Sequence, residues 1–266
     1  MTYKMLVSDI DDTLMNDEGT ISEGNREALA AAAAKGVIVT LATGRMYASA
    51  KNVAAGLGLN VPLITYQGSL IKNLQDGRVL YERWVPEQVA RELFRYAEDN
   101  GVHIQAYADD TLFAKEDNDK VKAYAAMSDV PYEIEPDFDR LLSRRLTKIL
   151  FYEDPERLDQ IMAEVGPSIS GKAHMTKSKP YFLEFLHPEA TKGQAILHLA
   201  RHFGILPEEV IAVGDSWNDR DMLEIAGLGV AVANAVDALK AAADYVSPYD
   251  NNQDGVKHVV EKFILR

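Results

Sequence analysis

The chain has 266 residues, 47% hydrophobic and 26% charged, which suits a globular protein of one large domain or one core with a smaller insert. Its net charge of −13 disfavours nucleic acid or an anionic membrane surface as partner, and the densest basic run, Arg144-Arg145 with Lys148, is too sparse for a nucleic-acid footprint. The absence of cysteine excludes disulfides and thiolate chemistry; no apolar run approaches membrane-spanning length, and Met1 leads directly into the first strand with no signal peptide, so a soluble cytoplasmic protein is expected.

Tyr3 to Ser8 is a short apolar stretch that reads as a buried strand. It ends in Asp9-Ile10-Asp11-Asp12-Thr13-Leu14, and the turn-rich loop Asn16 to Gly19 follows. In extended backbone Asp9 and Asp11 point to the same side. Two like charges that close need a cation between them, or one must hold a proton. The pair therefore suits a carboxylate nucleophile, a hard-metal site or an acid poised to donate, with a solvated Asp-rich turn as the plainer alternative. Ser22 is a suitable N-cap for a helix through the alanine run 28–34, and Gly36 a suitable stop. Val37 to Ala42 reads as a fully buried strand ending in Thr43-Gly44-Arg45. A helix is predicted from Met46 to about Leu57, then a strand from Pro62 to Tyr66 closed by Gln67-Gly68. This alternation argues for a parallel sheet with helices on both faces.

The pattern then changes. Ser69 to Lys72 and Arg78 to Arg83 flank Asp76-Gly77, a hairpin signal. Pro86 suits the first turn of a helix that ends before Gly101. Val102 to Tyr107 and Thr111 to Lys115 form a second hairpin about Asp109-Asp110. A short helix at 121–127, strands at 132–134 and 146–153, a helix at 155–165, and strands at 169–174 and 181–186 complete the stretch. Such a mixture predicts an antiparallel sheet with helices on one face. Residues 84–186 thus read as a second, α+β domain inserted into an α/β, Rossmann-like core made of 1–83 and 187–266. The alternation returns with a helix from Lys192 to Phe203, a strand from Glu209 to Val213 ending in Gly214-Asp215-Ser216-Trp217-Asn218-Asp219, and a helix at 221–226. A strand at 229–232, a helix at 235–243, a short strand at Tyr245-Val246, a loop from Asn251 to Val256 and a C-terminal helix follow.

Three core strands therefore end in reactive-looking loops, and in an open parallel sheet ligands bind beyond those strand ends. Thr43-Gly44 alone is an ordinary helix cap, and Gly214-Asp215 with Asn218-Asp219 an ordinary turn. Lys192 at a helix start opposes the helix dipole, which points to a local anion partner. It is the coincidence of all four features that argues for one site.

Asp9 to Leu14, Ala42-Thr43-Gly44-Arg45, Thr191-Lys192-Gly193 and Gly214 to Asp219 resemble, in order, the four motifs of the haloacid dehalogenase-like phosphatases. Asn251 to Val256 and the insertion after the second motif resemble the Cof-type branch, with its mixed α/β cap. The resemblance covers essentially the whole chain. It implies Asp9 as nucleophile, Asp11 as acid and base, and Mg²⁺ bound by Asp9, the Asp11 backbone carbonyl and Asp215, with Asp219 behind it. It further implies Ile10, Thr43, Gly44, Asn218 and Lys192 as phosphate ligands, and hydrolysis of small phosphorylated metabolites, sugar phosphates foremost. Arg45 is a further candidate, against a surface ion pair. Tyr107, His174, Lys179 and Tyr181 are candidates for substrate selection from the insert, against core or surface roles. The family often has Gly where Asp12 stands and Asn-Gly where Gln67-Gly68 stands. Asp11 favours phosphate chemistry over halide displacement, which needs no leaving-group acid. A phosphomutase and a non-catalytic phosphate binder are the alternatives, and the sequence leaves oligomeric state open.

Overall fold

The computed structural model describes residues 2–59 and 61–266, so Met1, read above as leading into the first strand, lies outside the described residues. The chain opens with strand β1 (Met5–Ser8), every residue of which is buried. Helix α1 (Glu23–Ala34) follows, its Ser22 N-cap accepting from the Asn25 N–H at 3.0 Å. Its buried residues are Asn25, Ala28, Leu29 and Ala32, and the two alanines allow close approach to the sheet. Next come β2 (Ile38–Leu41), α2 (Tyr47–Gly56) and β3 (Leu63–Thr65). A 3₁₀ turn, Tyr66–Gly68, leads into β4 (Leu70–Lys72) and β5 (Val79–Glu82). Strands β3, β4 and β5 form their own antiparallel sheet, tied to the end of β2 by a single parallel bridge between Ala42 and Ile64.

The insert contains α3 (Glu87–Asn100), β6 (Ile104–Ala108), β7 (Thr111–Ala114), α4 (Asp119–Ser128) and β8 (Tyr132–Ile134). It continues with β9 (Leu146–Tyr152), α5 (Pro155–Ile169), β10 (His174–Lys179) and β11 (Phe182–Leu186). Its sheet has the order β10-β11-β9-β6-β7-β8, antiparallel except for the β7–β8 pair. Alternation along the strands sorts the two faces. Ile104, Ala106, Ile149, Phe151, Leu183 and Phe185 pack under α3 and α5. Tyr107, Leu150 and Phe182 face the other way and join the main core cluster. There the structure departs from the expectation of helices on one face: α4 packs Val121 and Tyr124 on that second side.

The strand expected at 169–174 is also corrected. Leu158, Ile161, Val165 and Ile169 keep helical spacing through Pro167, so α5 runs on to Ile169. The strand that follows, His174–Lys179, is polar because it is the sheet's edge.

The chain returns with α6 (Lys192–His202), β12 (Val210–Gly214), α7 (Arg220–Ile225), β13 (Leu228–Ala231), α8 (Asp237–Ala242), β14 (Tyr245–Val246) and α9 (Gly255–Phe263). The expected 251–256 loop is a 3₁₀ turn, Asn251–Gln253, that runs into α9. The main sheet is fully parallel, in the order β14-β13-β12-β1-β2. The chain steps from β1 to β2 on one flank and returns through β12 on the other, so the order reverses at β1, where such sheets hold ligands. No helix among the described residues is long and apolar enough to cross a membrane.

Insert and core meet at several points. Asp110, in the β6–β7 turn, accepts from the Tyr66 hydroxyl at 2.7 Å and from the Ala48 N–H in the first turn of α2 at 3.3 Å. Arg83 and Glu189, on the two connecting segments, form an ion pair at 2.9 Å. Tyr66 and Gln67 both have positive φ, 50° and 57°, and are pinned by bonds from their N–H groups to the Arg45 and Thr43 carbonyls, each at 3.0 Å. Gly68 is the conformational key to this turn: its φ is 101°, and an added Cβ would stand 2.2 Å from the Thr191 carbonyl oxygen, at the start of α6. Gly68→Ala is therefore expected to lower stability by roughly 1–3 kcal/mol, seen as a fall of several degrees in the thermal unfolding midpoint. An unchanged midpoint would mean that the turn and α6 do not depend on this contact.

Candidate active site

Because β1 lies between β12 and β2, the loops after these three strands share one end of the sheet. Asp9 still holds the ladder, its N–H donating to the Val213 carbonyl at 2.9 Å, while its side chain turns into the site. Lys192, the first residue of α6, places Nζ 2.6 Å from Asp9 Oδ1 and 2.6 Å from Asp219 Oδ1. An ammonium at a helix N-terminus opposes the helix dipole; these two carboxylates are the anion partners that offset it. Asp219 Oδ2 accepts the Asp215 and Ser216 N–H groups at 2.9 and 3.0 Å and so shapes the loop after β12. Thr13, which the sequence reading gave no role, donates to Asp215 Oδ1 at 2.6 Å.

Asp9, Asp215 and Asp219 are all buried, and one oxygen from each lies within 4.8 Å of the others. Burial, opposed by Lys192 and reinforced by Asp219 and Asp11, pushes the Asp9 carboxyl up to about 7. Burial, then the neighbouring Asp219 and Asp9, push Asp215 well above the usual carboxylate range. Lys192 is held above its ordinary value because Asp219 and Asp9 outweigh its own burial. Three carboxylates facing one ammonium leave an excess of buried negative charge. The donor set is all oxygen, and a hard divalent cation on Asp9 and Asp215 removes the excess. The residues present fit such an ion.

Asp11 lies outside this cluster. Arg45 grips it with two bonds, Nε to Oδ2 at 2.9 Å and Nη2 to Oδ1 at 2.6 Å, and also reaches Ser49 Oγ at 3.1 Å. Burial would raise the Asp11 carboxyl, but the Arg45 hydrogen bonds and charge, with Lys179 and Lys192, hold it below its usual range. Arg45 lines the cleft and forms an ion pair there, its side chain 17% exposed and that of Asp11 39% exposed, so the pair sits in the cleft wall, partly withdrawn from water. Asp12 has φ 59°, the left-handed geometry for which Gly is the usual choice, and short polar side chains tolerate it. Its carboxylate pairs with Lys179 on β10.

Thr43 is buried, and its Oγ1 accepts the Arg45 N–H at 3.1 Å. Among the described residues, the Ile10 and Gly44 N–H groups meet no backbone acceptor. Asn218 Nδ2 donates to Gln67 Oε1 at 3.0 Å. Thr43, Gly44 and Asn218 line a cleft of about 610 Å³, its open mouth included, together with Asp9, Asp11 and Asp215. The insert closes it with Tyr124, Met127 and Ser128 of α4, Ser178 and Lys179 of β10, and Phe182 and Glu184 of β11. Of the four insert residues singled out from sequence, Lys179 alone lines the cleft. Tyr107 is fully buried, its hydroxyl on Gln105 Oε1 at 2.9 Å, and Tyr181 packs on Tyr152. Sequence reasoning missed Glu184 and Lys148. Their signal was a charge inside an otherwise apolar strand, which is buried only when paired.

Similarity to known proteins agrees with this geometry. The model of the haloacid dehalogenase-like hydrolase family matches residues 6–260. A solved haloacid dehalogenase-like hydrolase from Bacteroides thetaiotaomicron is 31% identical, with a TM-score of 0.88 over 98% of this chain and 99% of its own. The structure of the subclass IIB sugar phosphatase BT4131 has a TM-score of 0.88 at 28% identity, covering 98% of this chain and 98% of its own. The HMP-PP phosphatase of Cronobacter sakazakii (strain ATCC BAA-894) is 29% identical over 233 residues, 88% of this chain and 85% of that protein. A family match that runs nearly end to end, over a parallel sheet with its carboxylates gathered at one end, leaves one conclusion: the chain belongs to the haloacid dehalogenase-like hydrolases.

Proposed function

We propose that the protein is a Mg²⁺-dependent phosphatase of small phosphorylated metabolites, sugar phosphates foremost, that works through an aspartyl-phosphate on Asp9. One observation carries this reading: a buried carboxylate, Asp9, is held by Lys192 at the floor of a cleft, with Asp215 beside it and hydrogen-bond donors around it. The similarity to a sugar phosphatase and to an HMP-PP phosphatase supports the substrate class.

Thr43 Oγ1, the Ile10 and Gly44 N–H groups and Asn218 hold the phosphoryl oxygens, and Lys192 balances their charge. An oxygen of Asp9 attacks phosphorus while the ester P–O bond breaks, and Asp11 gives its proton to the leaving oxygen. Asp11 then takes a proton from water, the water oxygen attacks phosphorus, and the bond to Asp9 breaks to release inorganic phosphate. Asp9, the Asp11 carbonyl and Asp215 are the residues that would hold Mg²⁺, with Asp219 fixing the loop that carries Asp215. When bound, the ion supplies positive charge that keeps the carboxylates ionised beside a dianionic substrate. To act as the acid, Asp11 must carry a proton and be free of the Arg45 grip, so this reading requires Arg45 to let go of Asp11 when substrate is bound. In this reading residues 84–186 are the cap, which is supported by the part of the cleft wall they supply, from Tyr124 to Glu184.

Two outcomes are expected. Activity on p-nitrophenyl phosphate should vanish on chelation and return with Mg²⁺. Asp215→Ala should lower it by about a hundredfold or more at saturating Mg²⁺, the several kcal/mol that a metal's charge supplies. Full turnover in chelated enzyme would remove the metal from the account. In Asp11→Asn, sugar phosphates, whose alkoxides are strong bases, should lose about 10²–10⁴-fold in the first step. p-Nitrophenyl phosphate, with a weakly basic leaving group, should lose far less in that step under single-turnover conditions. Equal losses on both would show that Asp11 is not the acid.

A further inference from the structure

Two charges lie buried in the insert, apart from the Asp9 cluster. Lys148, within β9, and Glu184, within β11, pair at 3.0 Å with side chains 1% and 3% exposed. The Lys148 ammonium also sits 4.7 Å from the centre of the Tyr107 ring. A buried pair of this kind is poor value for stability, because desolvation consumes most of the attraction. Within the insert, Ser178 Oγ on β10 also donates to Glu184 Oε1 at 3.0 Å; further contacts of the pair leave the insert and enter two loops of the core. Lys148 Nζ donates to the Gly44 carbonyl at 2.9 Å. Glu184 Oε2 accepts Gln67 Nε2 at 2.6 Å, and Gln67 Oε1 accepts Asn218 Nδ2 at 3.0 Å. Gly44 makes room for this chain, since a Cβ there would stand 2.4 Å from Gln67 Nε2.

The connections have a direction. A carboxylate only accepts, so Glu184 draws the nitrogen end of the Gln67 amide and turns its oxygen toward Asn218. That oxygen in turn selects the nitrogen end of Asn218, whose Oδ1 is buried without a partner among the described residues. One N–H of Asn218 is left for an anion. Lys148 acts on the other side of the site. The peptide unit whose carbonyl it binds carries the Arg45 N–H, which donates to Thr43 Oγ1 at 3.1 Å. This bond fixes the position of Oγ1 and uses only an acceptor lone pair, so the Thr43 hydroxyl proton remains to donate.

Resting on the phosphatase reading above, we propose that Lys148 and Glu184 are positioning residues for phosphate recognition: docked against the core, the inserted sheet orients Thr43 and Asn218 as donors. The insert is then part of the phosphate site and does more than cover it. Gln67, one methylene longer than the Asn common at this place in the family, spans Glu184 and Asn218.

The test uses p-nitrophenyl phosphate, which offers the insert no hydroxyl to recognise, and inorganic phosphate as a competitive inhibitor. Replacing both charges together, Lys148→Met with Glu184→Met, leaves no unpaired charge behind and should keep the fold. Glu184→Gln, nearly isosteric, is the second variant. In each, the KM for p-nitrophenyl phosphate and the Ki for phosphate should rise together by about tenfold, the effect of losing a charge-assisted hydrogen bond. Values within twofold of wild type in folded variants would overturn the proposal. So would losses confined to sugar phosphates, which would make Glu184 a direct substrate contact. If the wild-type protein turns over no phosphate ester, the phosphatase reading fails instead. Calorimetric titration of inorganic phosphate with Mg²⁺ then reads the relay by itself, and equal affinity in wild type and variants would refute it.

Discussion

Lys192 Nζ lies 2.6 Å from Asp9 and 2.6 Å from Asp219, and all three side chains are almost wholly withdrawn from water. Burying carboxylates at the end of an apolar sheet is costly unless they are paired and hydrogen-bonded. This ammonium pairs two of them at once. Removing one partner of such a buried group typically costs about 3–5 kcal/mol, enough to unsettle the loops after β1 and β12 together. The pairing also explains why the first residue of α6 carries a charge of the wrong sign for its helix dipole. The helix start is where the strand-end carboxylates converge, and Gly68 lets the Tyr66–Gly68 turn press against it.

Around that centre the charges divide into two groups with different tasks. Asp9, Asp215 and Asp219 share a buried excess of negative charge and suit a hard cation. Asp11 and Asp12 have been given cations of their own, Arg45 and Lys179. The second of these comes from the insert, so the segment that walls the cleft also supplies a charge at its rim. Asp12 can do this because it accepts the left-handed turn that Gly would otherwise occupy; a Gly there would have no carboxylate to offer Lys179. The insert thus reaches the site through Lys179 at the rim, Glu184 in the cleft wall and Lys148 on the Gly44 carbonyl.

Much of this was legible in the sequence. The parallel strands are short, unbroken apolar runs, and the loops that end them carry distinctive residues in a fixed order. What escaped reading depends on register and on long-range partners. Lys148 and Glu184 are 36 residues apart, and Gln67 and Asn218 are 151 apart, so no local pattern joins them. The α5 boundary was misplaced because Gly166-Pro167 resembles a stop, whereas the buried face of the helix continues to Ile169. The polar strand β10 lacked an apolar pattern because it forms an edge, and the same polarity places Ser178 and Lys179 on the cleft. Lys192 was legible for the opposite reason: its conflict with the helix dipole demanded a partner, and the partner's identity required the fold.

The proposed role of Asp9 as nucleophile in the first chemical step is tested most directly by trapping its phosphorylated adduct. Asp11→Asn enzyme mixed with phosphate-labelled p-nitrophenyl phosphate and Mg²⁺, then quenched in acid within the first turnover, should carry label on the peptide that contains Asp9. Release of p-nitrophenol in stoichiometric amount should accompany it, because the variant lacks the base that frees the phosphate. Label absent from that peptide, with phosphate appearing in solution as fast as p-nitrophenol, would contradict the account and favour direct attack by water.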